Sequence, residues 1–423
     1  MASSVRIDGC LPGVDGSTIG LIFSRGFAVE FDWHNDRTMA VGQPKRLRDL
    51  RFPSPFDSDL EGVLRGRLRF SDFIYLFKNG EYLKLREATM SAEGEPRATA
   101  PAWNLPPDWT RFDAVVSGSG KKTNYCYFFR GDEYCRFDWA QDKISPGYPK
   151  KIVTNFHAPG LLSRDLDGII VGQERFSTKA YLFKTARKSV DPDGNLVAAG
   201  TSGAREVAVP IYLRYDFDAE SSEGFVENPL EVVTNWHGLF PLLDSGPATD
   251  LAIRWCEQTL GELNGSTPAL PSALRNHFMT SSASTSQVDK IATVFRGIRE
   301  RLSRIPIQFQ WTPNLPFPAQ TQPHVLTEIG DAFSYMHGPN GRAAVLIHES
   351  VHFINTGDAA VDVPEWSGET INGVAWPVDR LSGRAYHTIS TNEALTNPSS
   401  FASFAQELAI PGDTRFGAAR RHE

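Results

Sequence analysis

The chain has 423 residues, which is too long for one ordinary hydrophobic core, so we expect two domains or, less often, three. Its formal net charge of -7 disfavours nucleic acid or an anionic membrane as the main partner. No apolar run is long enough to span a bilayer, and the N-terminal residues show no secretory signal. We therefore expect a cytoplasmic protein, or one released by a non-Sec route.

The chain contains four cysteines, Cys10, Cys126, Cys135 and Cys256, which are too few for a disulfide framework at this length. No two of them have the Cys-x-x-Cys spacing that is typical of thiolate zinc sites and redox centres. We therefore expect four free thiols.

Two sequence landmarks recur about every 53 residues across the first 240 residues. The first is an acidic residue between an apolar and a small residue, which steps by 53, 52 and 54 positions: Asp8, Glu61, Asp113 and Asp167. The second is a phenylalanine that ends an apolar triplet and keeps the same phase: Phe23, Phe77, Phe129 and Phe183. Each unit continues with a turn and an alternating strand, as in a β-hairpin. Four β-rich units, each too small to bury its own face, predict an all-β four-bladed β-propeller over residues 1–242.

The details of these units resemble hemopexin-type repeats. The resemblance lies in the Asp-Gly/Ala strand start, the Tyr-x-Phe-Lys/Arg hairpin, the Gly-x-Pro-Lys turns at residues 42–45 and 147–150, and the terminal Trp236-His237-Gly238-Leu239. It implies a binding or targeting role, with a glycan, a heme or a receptor as the ligand. The fourth unit departs from the pattern, because a polar loop is inserted near residues 189–206. Cys10 also has no partner near Trp236, so we do not expect closure by a disulfide.

The four recurrent acids have two interpretations. The hemopexin resemblance implies a central channel in which backbone carbonyls of the first strands hold a cation such as calcium or sodium, at Asp8, Glu61, Asp113 and Asp167. The alternative is that these side chains hydrogen-bond backbone amides and cap the strands. Carbonyl coordination leaves no side-chain signature, so both interpretations stay open.

The periodicity changes after the last repeat. Residues 241–248 contain two prolines and a glycine, which predicts a linker. Beyond it, residues 251–260 and 288–302 carry apolar side chains at helical spacing. The sequence therefore predicts a second, mainly α domain over residues 243–423.

The second domain contains the sequence His348-Glu349-Ser350-Val351-His352 inside an apolar run. Residues four apart on a helix share one face, so both imidazoles can bind one zinc ion, and Glu349 can act as the general base. The alternative is a buried helix that happens to carry two histidines, although two polar rings are costly to bury unpaired. Residues 339–341 predict the helix start, with Asn340 as the N-cap.

The residues that follow decide which zinc-enzyme family fits. A thermolysin-type glutamate and a metzincin-type third histidine are both missing at the required spacings. The His-Glu-x-x-His segment, an acidic stretch at 362–365, Tyr386 and residues 397–405 together resemble the aspzincins, the deuterolysin and lysine-specific metalloendopeptidase group. This resemblance implies a zincin-like metallopeptidase domain with an acidic third zinc ligand. We rank Glu365 first, then Asp362, then Asp379, because the Gly-Thr-x-Asp segment of the family is not intact here.

The aspzincin resemblance also implies roles for the later elements. Tyr386 would donate its hydroxyl to the oxyanion, and a core aromatic residue is its alternative. The helix predicted over residues 397–404 would support the zinc ligands from behind or serve the structure, rather than take part in catalysis, because Phe401 and Phe404 pack. Lysine specificity is not carried over, because the acidic pocket residue that it needs cannot be placed.

Two functions follow from these patterns. The first is a zinc-dependent metalloendopeptidase that hydrolyses a protein or peptide substrate with a metal-activated water, while the propeller serves binding or targeting. The second is a non-catalytic ligand-, carbohydrate- or receptor-binding propeller protein with a degenerate zinc domain, for which a bacterial toxin or effector is one setting. The first is favoured because His348, Glu349 and His352 are all intact.

Overall fold

The computed structural model describes the following residues: 6–14, 17–39, 42–158, 160–190, 197–202, 205–227, 229–265, 269–280, 282–304, 309–335, 338–354, 362–371, 374–375 and 377–411. These residues divide into two compact units, with the division between Leu243 and Asp244. Within these ranges, no helix combines the length and the hydropathy needed to cross a membrane.

The described residues of the first unit form four antiparallel sheets, one for each sequence repeat. The first sheet contains β1 (Gly9–Leu11), β2 (Ile19–Ser24), β3 (Phe27–Asp32), β4 (Arg37–Thr38) and β5 (Lys45–Arg46). The second contains β6 (Gly62–Arg65), β7 (Phe73–Lys78), β8 (Glu81–Arg86), β9 (Ser91–Ala92) and β10 (Arg97–Ala98). The third contains β11 (Ala114–Ser117), β12 (Tyr125–Arg130), β13 (Glu133–Asp138), β14 (Lys143–Ile144) and β15 (Lys150–Lys151). The fourth contains β16 (Gly168–Val171), β17 (Lys179–Val190), β18 (Arg205–Asp216) and β19 (Ser221–Val226).

Short helical segments lie between and after these strands. The α-helices are α1 (Thr99–Ala102), α2 (Ile152–Asn155) and α3 (Pro229–Thr234). The 3-10 turns are Leu68–Phe70, Gly120–Lys122, Gly160–Ser163 and Glu174–Phe176.

The first strands of the four sheets contact one another in order: β1 with β6, β6 with β11, β11 with β16, and β16 with β1. The backbone N–H of Ile7 donates to the carbonyl of Asp167 at 2.9 Å, which joins the first sheet to the fourth. Buried hydrophobic clusters fill the spaces between the first and second, second and third, and third and fourth sheets. Each sequence repeat therefore folds into one whole sheet.

The fourth sheet has a longer hairpin than the other three. β17 and β18 are each 12 residues long and pair as far as Val190 and Arg205. The inserted loop expected near residues 189–206 therefore overlaps the strands only at residues 189–190 and 205–206. The residues between the two strand ends lie partly outside the described residues.

The four cysteines form no disulfide, as the sequence predicts. Cys126, Cys135 and Cys256 are buried, and the Cys10 sulfur accepts a hydrogen bond from the Val171 N–H at 3.3 Å.

The described residues of the second unit are mainly helical, with two small sheets. The helices are α4 (Leu239–Asn264), α5 (Leu270–Phe278), α6 (Thr285–Leu302), α7 (Ala332–Tyr335), α8 (Pro339–Ile354), α9 (Thr391–Ala394) and α10 (Pro398–Ala409). The strands are β20 (Phe309–Trp311), β21 (Ala319–Gln322), β22 (Leu326–Ile329), β23 (Thr370–Ile371) and β24 (Val374–Ala375), and a 3-10 turn covers Tyr386–Thr388. The order β20-β22-β21 leaves β21 at the edge of its sheet.

The linker predicted at residues 241–248 is wrong, because those residues lie within helix α4. Pro241 falls in the first turn, where a missing N–H costs nothing, and Pro247 lies inside the helix. Buried Leu242, Leu243 and Ala248 give this stretch an apolar face that packs. Packing therefore overrides the turn-like composition.

Helix α8 carries the histidine pair and is buried nearly all round, as its apolar sequence predicts. It packs against α6, α10 and β21. It begins at Pro339, so the prediction that Asn340 is the N-cap is wrong: proline is well suited to the first helical position. Buried Arg342 anchors the first turns through an ion pair with Asp244 at 2.8 Å.

Candidate metal centre

Helix α8 brings two imidazoles together on one face. The Nε2 atoms of His348 and His352 lie 3.2 Å apart. The carboxylate of Asp362 reaches both rings, with one oxygen 3.7 Å from His348 Nε2 and the other 3.4 Å from His352 Nε2. Among the described residues, these three form a group whose ligand atoms all lie within 4.8 Å of one another.

The three separations match a metal site in size. The ligand atoms of a tetrahedral zinc ion lie about 3.4 Å apart when each is about 2.1 Å from the metal. Two imidazole nitrogens and one carboxylate oxygen are also a donor set that zinc accepts, and they leave a fourth position open. The residues of the group therefore fit zinc in donor type and in spacing.

The charges within the group support one another. Burial disfavours a charged imidazole, yet the neighbouring Asp362 carboxylate raises the pKa of His352 above its ordinary value. Burial likewise disfavours the carboxylate, but His348 and His352 lower the pKa of Asp362 overall. Asp362 is therefore ionised at neutral pH, as a metal ligand must be.

Ser399 faces the other nitrogen of His348. Its Oγ lies 3.4 Å from His348 Nδ1, and Ser399 is fully buried in the first turn of α10. A partner on the second ring nitrogen fixes the orientation and the tautomer of a ligating histidine. The sequence predicts a supporting or structural role for this helix, and nothing in its local pattern singles out Ser399 as the residue that meets α8.

Glu349 lies beside the metal group in a buried position, with 7% of its surface exposed. Its Oε2 is buried and accepts no hydrogen bond from the described residues. Leaving a buried carboxylate oxygen without a partner is costly, so structural needs do not explain this residue. The arrangement suits a base that receives a proton from a bound molecule.

Arg301 anchors helix α8 from the side of α6. Its guanidinium donates to Ser350 Oγ at 2.7 Å and also to Thr327, and it lies 4.2 Å over the Phe353 ring. Burial lowers the pKa of Arg301 to about 10, and Glu349 interacts with its charge. An arginine at position 301 of an amphipathic helix looks like a solvent-facing charge, so sequence analysis missed this anchor.

A cavity of about 440 Å³ opens onto the group. His348, Glu349, His352 and Asp362 all line it, together with Ser399 and the edge strand β21. The hydroxyl of Thr321 on β21 donates to the carbonyl of Glu349 at 3.1 Å, which ties this strand to the helix. The histidines, the carboxylates and residues of an edge strand therefore line one space.

The other candidate third ligands lie elsewhere. Glu365 is fully buried and does not line the cavity. Asp379 accepts hydrogen bonds from the N–H groups of Leu381 and Ser382 at 3.1 and 2.6 Å, so it caps a local turn. The structure thus brings Asp362 to the histidines, although the sequence ranks Glu365 first.

Tyr386 is also buried and is not among the described residues that line the cavity. Its hydroxyl lies 3.1 Å from His277 Nδ1, and His277 Nε2 lies 2.7 Å from Glu407. These contacts fit Tyr386 as a buried core residue better than as a hydroxyl donor to the oxyanion.

The four recurrent acids of the first unit hydrogen-bond backbone amides, as their second interpretation states. Asp8, Asp113 and Asp167 accept from the N–H groups of Arg25, Gly131 and Thr185 at 2.6, 2.6 and 2.5 Å. The carboxylate of Glu61 accepts from Phe112 at 3.3 Å. The backbone N–H of each acid also donates to the phenylalanine carbonyl of its repeat at 2.7–2.9 Å: Phe23, Phe77, Phe129 and Phe183. Asp8, Asp113 and Asp167 therefore join strands of their own repeat, whereas Glu61 reaches the N–H of Phe112 at the start of the third repeat.

Comparison with known proteins identifies the character of the first unit. A family model described as Hemopexin matches residues 112–157. Stromelysin-1 from Mus musculus is 29% identical over 145 residues, which is 34% of this chain and 27% of that protein. The N-terminal region contains a hemopexin-like domain. The chain spans only about a quarter of the stromelysin that it matches.

Two solved structures resemble parts of the chain. The hemopexin fold protein CP4 from cow pea is 14% identical with a TM-score of 0.40, covering 55% of this chain and 96% of that protein. A zinc peptidase from Grifola frondosa is 15% identical with a TM-score of 0.28, covering 40% of this chain and 94% of that protein.

Proposed function

We propose that the protein is a zinc-dependent metalloendopeptidase whose hemopexin-like domain serves binding or targeting. The observation that carries this proposal is the group of His348, His352 and Asp362 beside the buried carboxylate of Glu349, all facing one cavity. A degenerate site has no reason to keep both the donor set and an unpaired base.

His348, His352 and Asp362 would hold the zinc ion, with Asp362 as the third ligand in place of Glu365. Their separations of 3.2–3.7 Å support this assignment. Ser399 would orient His348 through its Nδ1 atom. A zinc ion held there supplies Lewis-acid activation of water and of the peptide carbonyl.

Glu349 would perform the proton transfers. Its carboxylate takes a proton from the water whose oxygen attacks the carbonyl carbon, and it delivers that proton to the amide nitrogen as the C–N bond breaks. The first products are a carboxylic acid and a neutral amine, and the proton of the acid then passes to the amine, which gives a carboxylate and an ammonium group with atoms and charges balanced. Burial of Glu349 keeps bulk water from competing for this proton.

Strand β21 would hold the substrate backbone. Among the described residues it pairs only with β22, and three of its residues line the cavity: Ala319, Gln320 and Thr321. An extended peptide can add to such an edge through main-chain hydrogen bonds. Binding of this kind places a peptide bond without reading its side chains.

The remaining walls favour an apolar substrate side chain. Apart from the metal group and Glu349, the described residues that line the cavity are uncharged, and they include buried Val345 and half-buried Trp366. A lysine would lose its hydration there without a dedicated counter-ion. Peptides that differ only in a Leu or a Lys beside the cleaved bond test this, and faster cleavage of the Lys peptide would contradict it.

The arrangement of the hemopexin-like domain is part of the proposal. The contacts of β1, β6, β11 and β16 in cyclic order support four blades of a propeller around a shared axis. Its ligand is a glycan, a heme or a receptor. A cation such as calcium or sodium on backbone carbonyls beside Asp8, Glu61, Asp113 and Asp167 stays a prediction.

Zinc content and casein cleavage test the enzymatic proposal together. The full chain is expected to contain about one zinc by atomic absorption and to cleave casein until a chelator is added. Zinc-free protein without chelator-sensitive cleavage would support the non-catalytic alternative instead.

A further inference from the structure

One position recurs at the end of the third strand of each sheet in the first unit. The residues there are Trp33, Glu87, Trp139 and Phe217. Their backbone N–H groups donate to the carbonyl that precedes the second strand of the same sheet at 2.8–3.1 Å: Thr18, Asp72, Asn124 and Thr178. The shared hydrogen bond establishes that these four positions are equivalent.

A second position lies on the second strand of each sheet. Its residues pair across to the third strand in the same register: Leu21 with Glu30, Tyr75 with Lys84, Tyr127 with Arg136, and Tyr181 with Arg214. Three sheets have a tyrosine here and the first sheet has a leucine.

These two positions meet where consecutive sheets pack, which we call a junction. Tyr75 and Trp139 have ring centroids 5.7 Å apart between the second and third sheets. Tyr127 and Phe217 are 5.5 Å apart between the third and fourth sheets. Between the fourth and first sheets, Tyr181 and Trp33 both pack on Trp236, at 4.8 and 6.2 Å.

The junction of the first and second sheets lacks both rings. Leu21 and Glu87 occupy the two positions, and both line a cavity of about 870 Å³. The cavities that border the equivalent residues elsewhere measure about 120 Å³ for Tyr127 with Phe217, and about 250 Å³ for Tyr181 with Trp33. The larger space therefore lies where two aromatic side chains are replaced.

Glu87 lies at the position where the other three sheets have an aromatic ring, and its carboxylate is held by an ion pair. Arg65 holds the carboxylate of Glu87 through Nε at 2.8–2.9 Å and through Nη2 at 2.5 Å, and its Nη1 donates to the Pro12 carbonyl at 2.7 Å. Both charges are thus neutralised locally, and the guanidinium presents a fixed plane. The other walls include the apolar side chains of Leu11, Leu21, Phe52 and Ile74, and the charged residues Glu30, Asp72 and Arg86. Glu30 is paired with Lys45, and Arg86 is paired with Glu93.

We propose that this cavity binds a small, uncharged, planar aromatic molecule, at a site separate from the metal centre. Its ring takes the place of the aromatic pair that fills the other junctions. An aromatic ring gains most binding free energy from contact with apolar walls and from stacking on a flat guanidinium. The volume is in the range of about 300–1,000 Å³ that is typical of small-molecule sites.

Indole is a suitable probe, because it is the ring that Trp139 provides at the next junction. Titration of the full chain with indole, followed by calorimetry, is expected to show saturable binding. Leu21→Tyr restores the residue found in the other three sheets, and at least a tenfold loss of affinity is expected. Val153→Tyr is the matched control, since Val153 is 52% exposed and does not line the cavity.

Circular dichroism verifies that each variant folds, and Leu21→Phe replaces Leu21→Tyr if the tyrosine is not tolerated. Binding by the parent and by Val153→Tyr, together with its loss on filling position 21, supports the site. An absence of saturable indole binding overturns it. Equal affinity of the parent and the filled variant also overturns it.

Discussion

The two units use their carboxylates in opposite ways. In the hemopexin-like unit, Asp8, Asp113 and Asp167 accept hydrogen bonds from backbone N–H groups and so join the strands of their own repeat. In the helical unit, Asp362 lies against two imidazoles, and Glu349 keeps a buried oxygen that accepts no hydrogen bond from the described residues. A carboxylate that the backbone satisfies is explained by the fold, whereas one that the fold leaves unsatisfied needs a function.

This difference predicts that substitutions in the two units affect different properties of the protein. Substitutions in the metal group should alter zinc binding with little loss of stability. Substitutions of the recurrent acids should alter stability and leave zinc binding unchanged. The predictions below test this separation.

The largest effect is expected for His352→Ala. With one of three protein ligands removed, zinc affinity should fall roughly a hundredfold to a thousandfold. Competition with a chelator measures it. His387→Ala is the control, because His387 is exposed and pairs with Glu369. Equal zinc affinity in the two variants would remove His352 from the site.

The next effect separates the two acids. Asp362→Ala should weaken zinc binding by about a hundredfold, since it removes a charged ligand. Glu365→Ala should leave zinc affinity nearly unchanged, although it will lower stability because Glu365 is fully buried. The reverse order of zinc affinities would return the third-ligand role to Glu365.

Asp113→Ala tests the other side of the comparison. Removing the acceptor of the Gly131 N–H should lower the free energy of unfolding by about 1–2 kcal/mol. Asp113→Asn keeps an acceptor and should lose less. Urea unfolding followed by circular dichroism measures both, and a change in zinc content in either variant would argue against a purely structural role.

The smallest effect is expected for Ser399→Ala, which removes the partner of His348 Nδ1. Zinc affinity should fall by about tenfold, the lower range for residues that orient a ligand. Ser403→Ala, one turn further along the same buried helix, is the control. If both variants bind zinc like the parent, the 3.4 Å contact does not position His348.

Local patterns account for what the sequence predicts well. The repeat is visible because the same kinds of side chain recur in each sheet, such as the Asp8 carboxylate that accepts from the Arg25 N–H and the buried ring of Phe23. The histidine pair is visible because spacing along one helix is enough to bring two rings to one point. Neither feature depends on distant parts of the chain.

The features that the sequence does not predict depend on tertiary packing. Residues 241–248 have the composition of a linker but form a helix because their apolar side chains are buried. Choosing between Glu365 and Asp362 as the third ligand requires the path of the chain after α8. That path includes residues 355–361, which lie outside the described residues. Tyr386 has the family spacing, yet its hydroxyl is engaged by His277, which lies 109 residues away.

Glu349→Gln tests the central claim most directly, because it removes the base without removing a ligand. The variant should contain as much zinc as the parent and cleave casein about a hundred to ten thousand times more slowly. Both zinc content and rate are measured on the same preparation of the full chain. A variant that keeps its zinc and cleaves casein as fast as the parent would contradict the assignment of catalysis to this site.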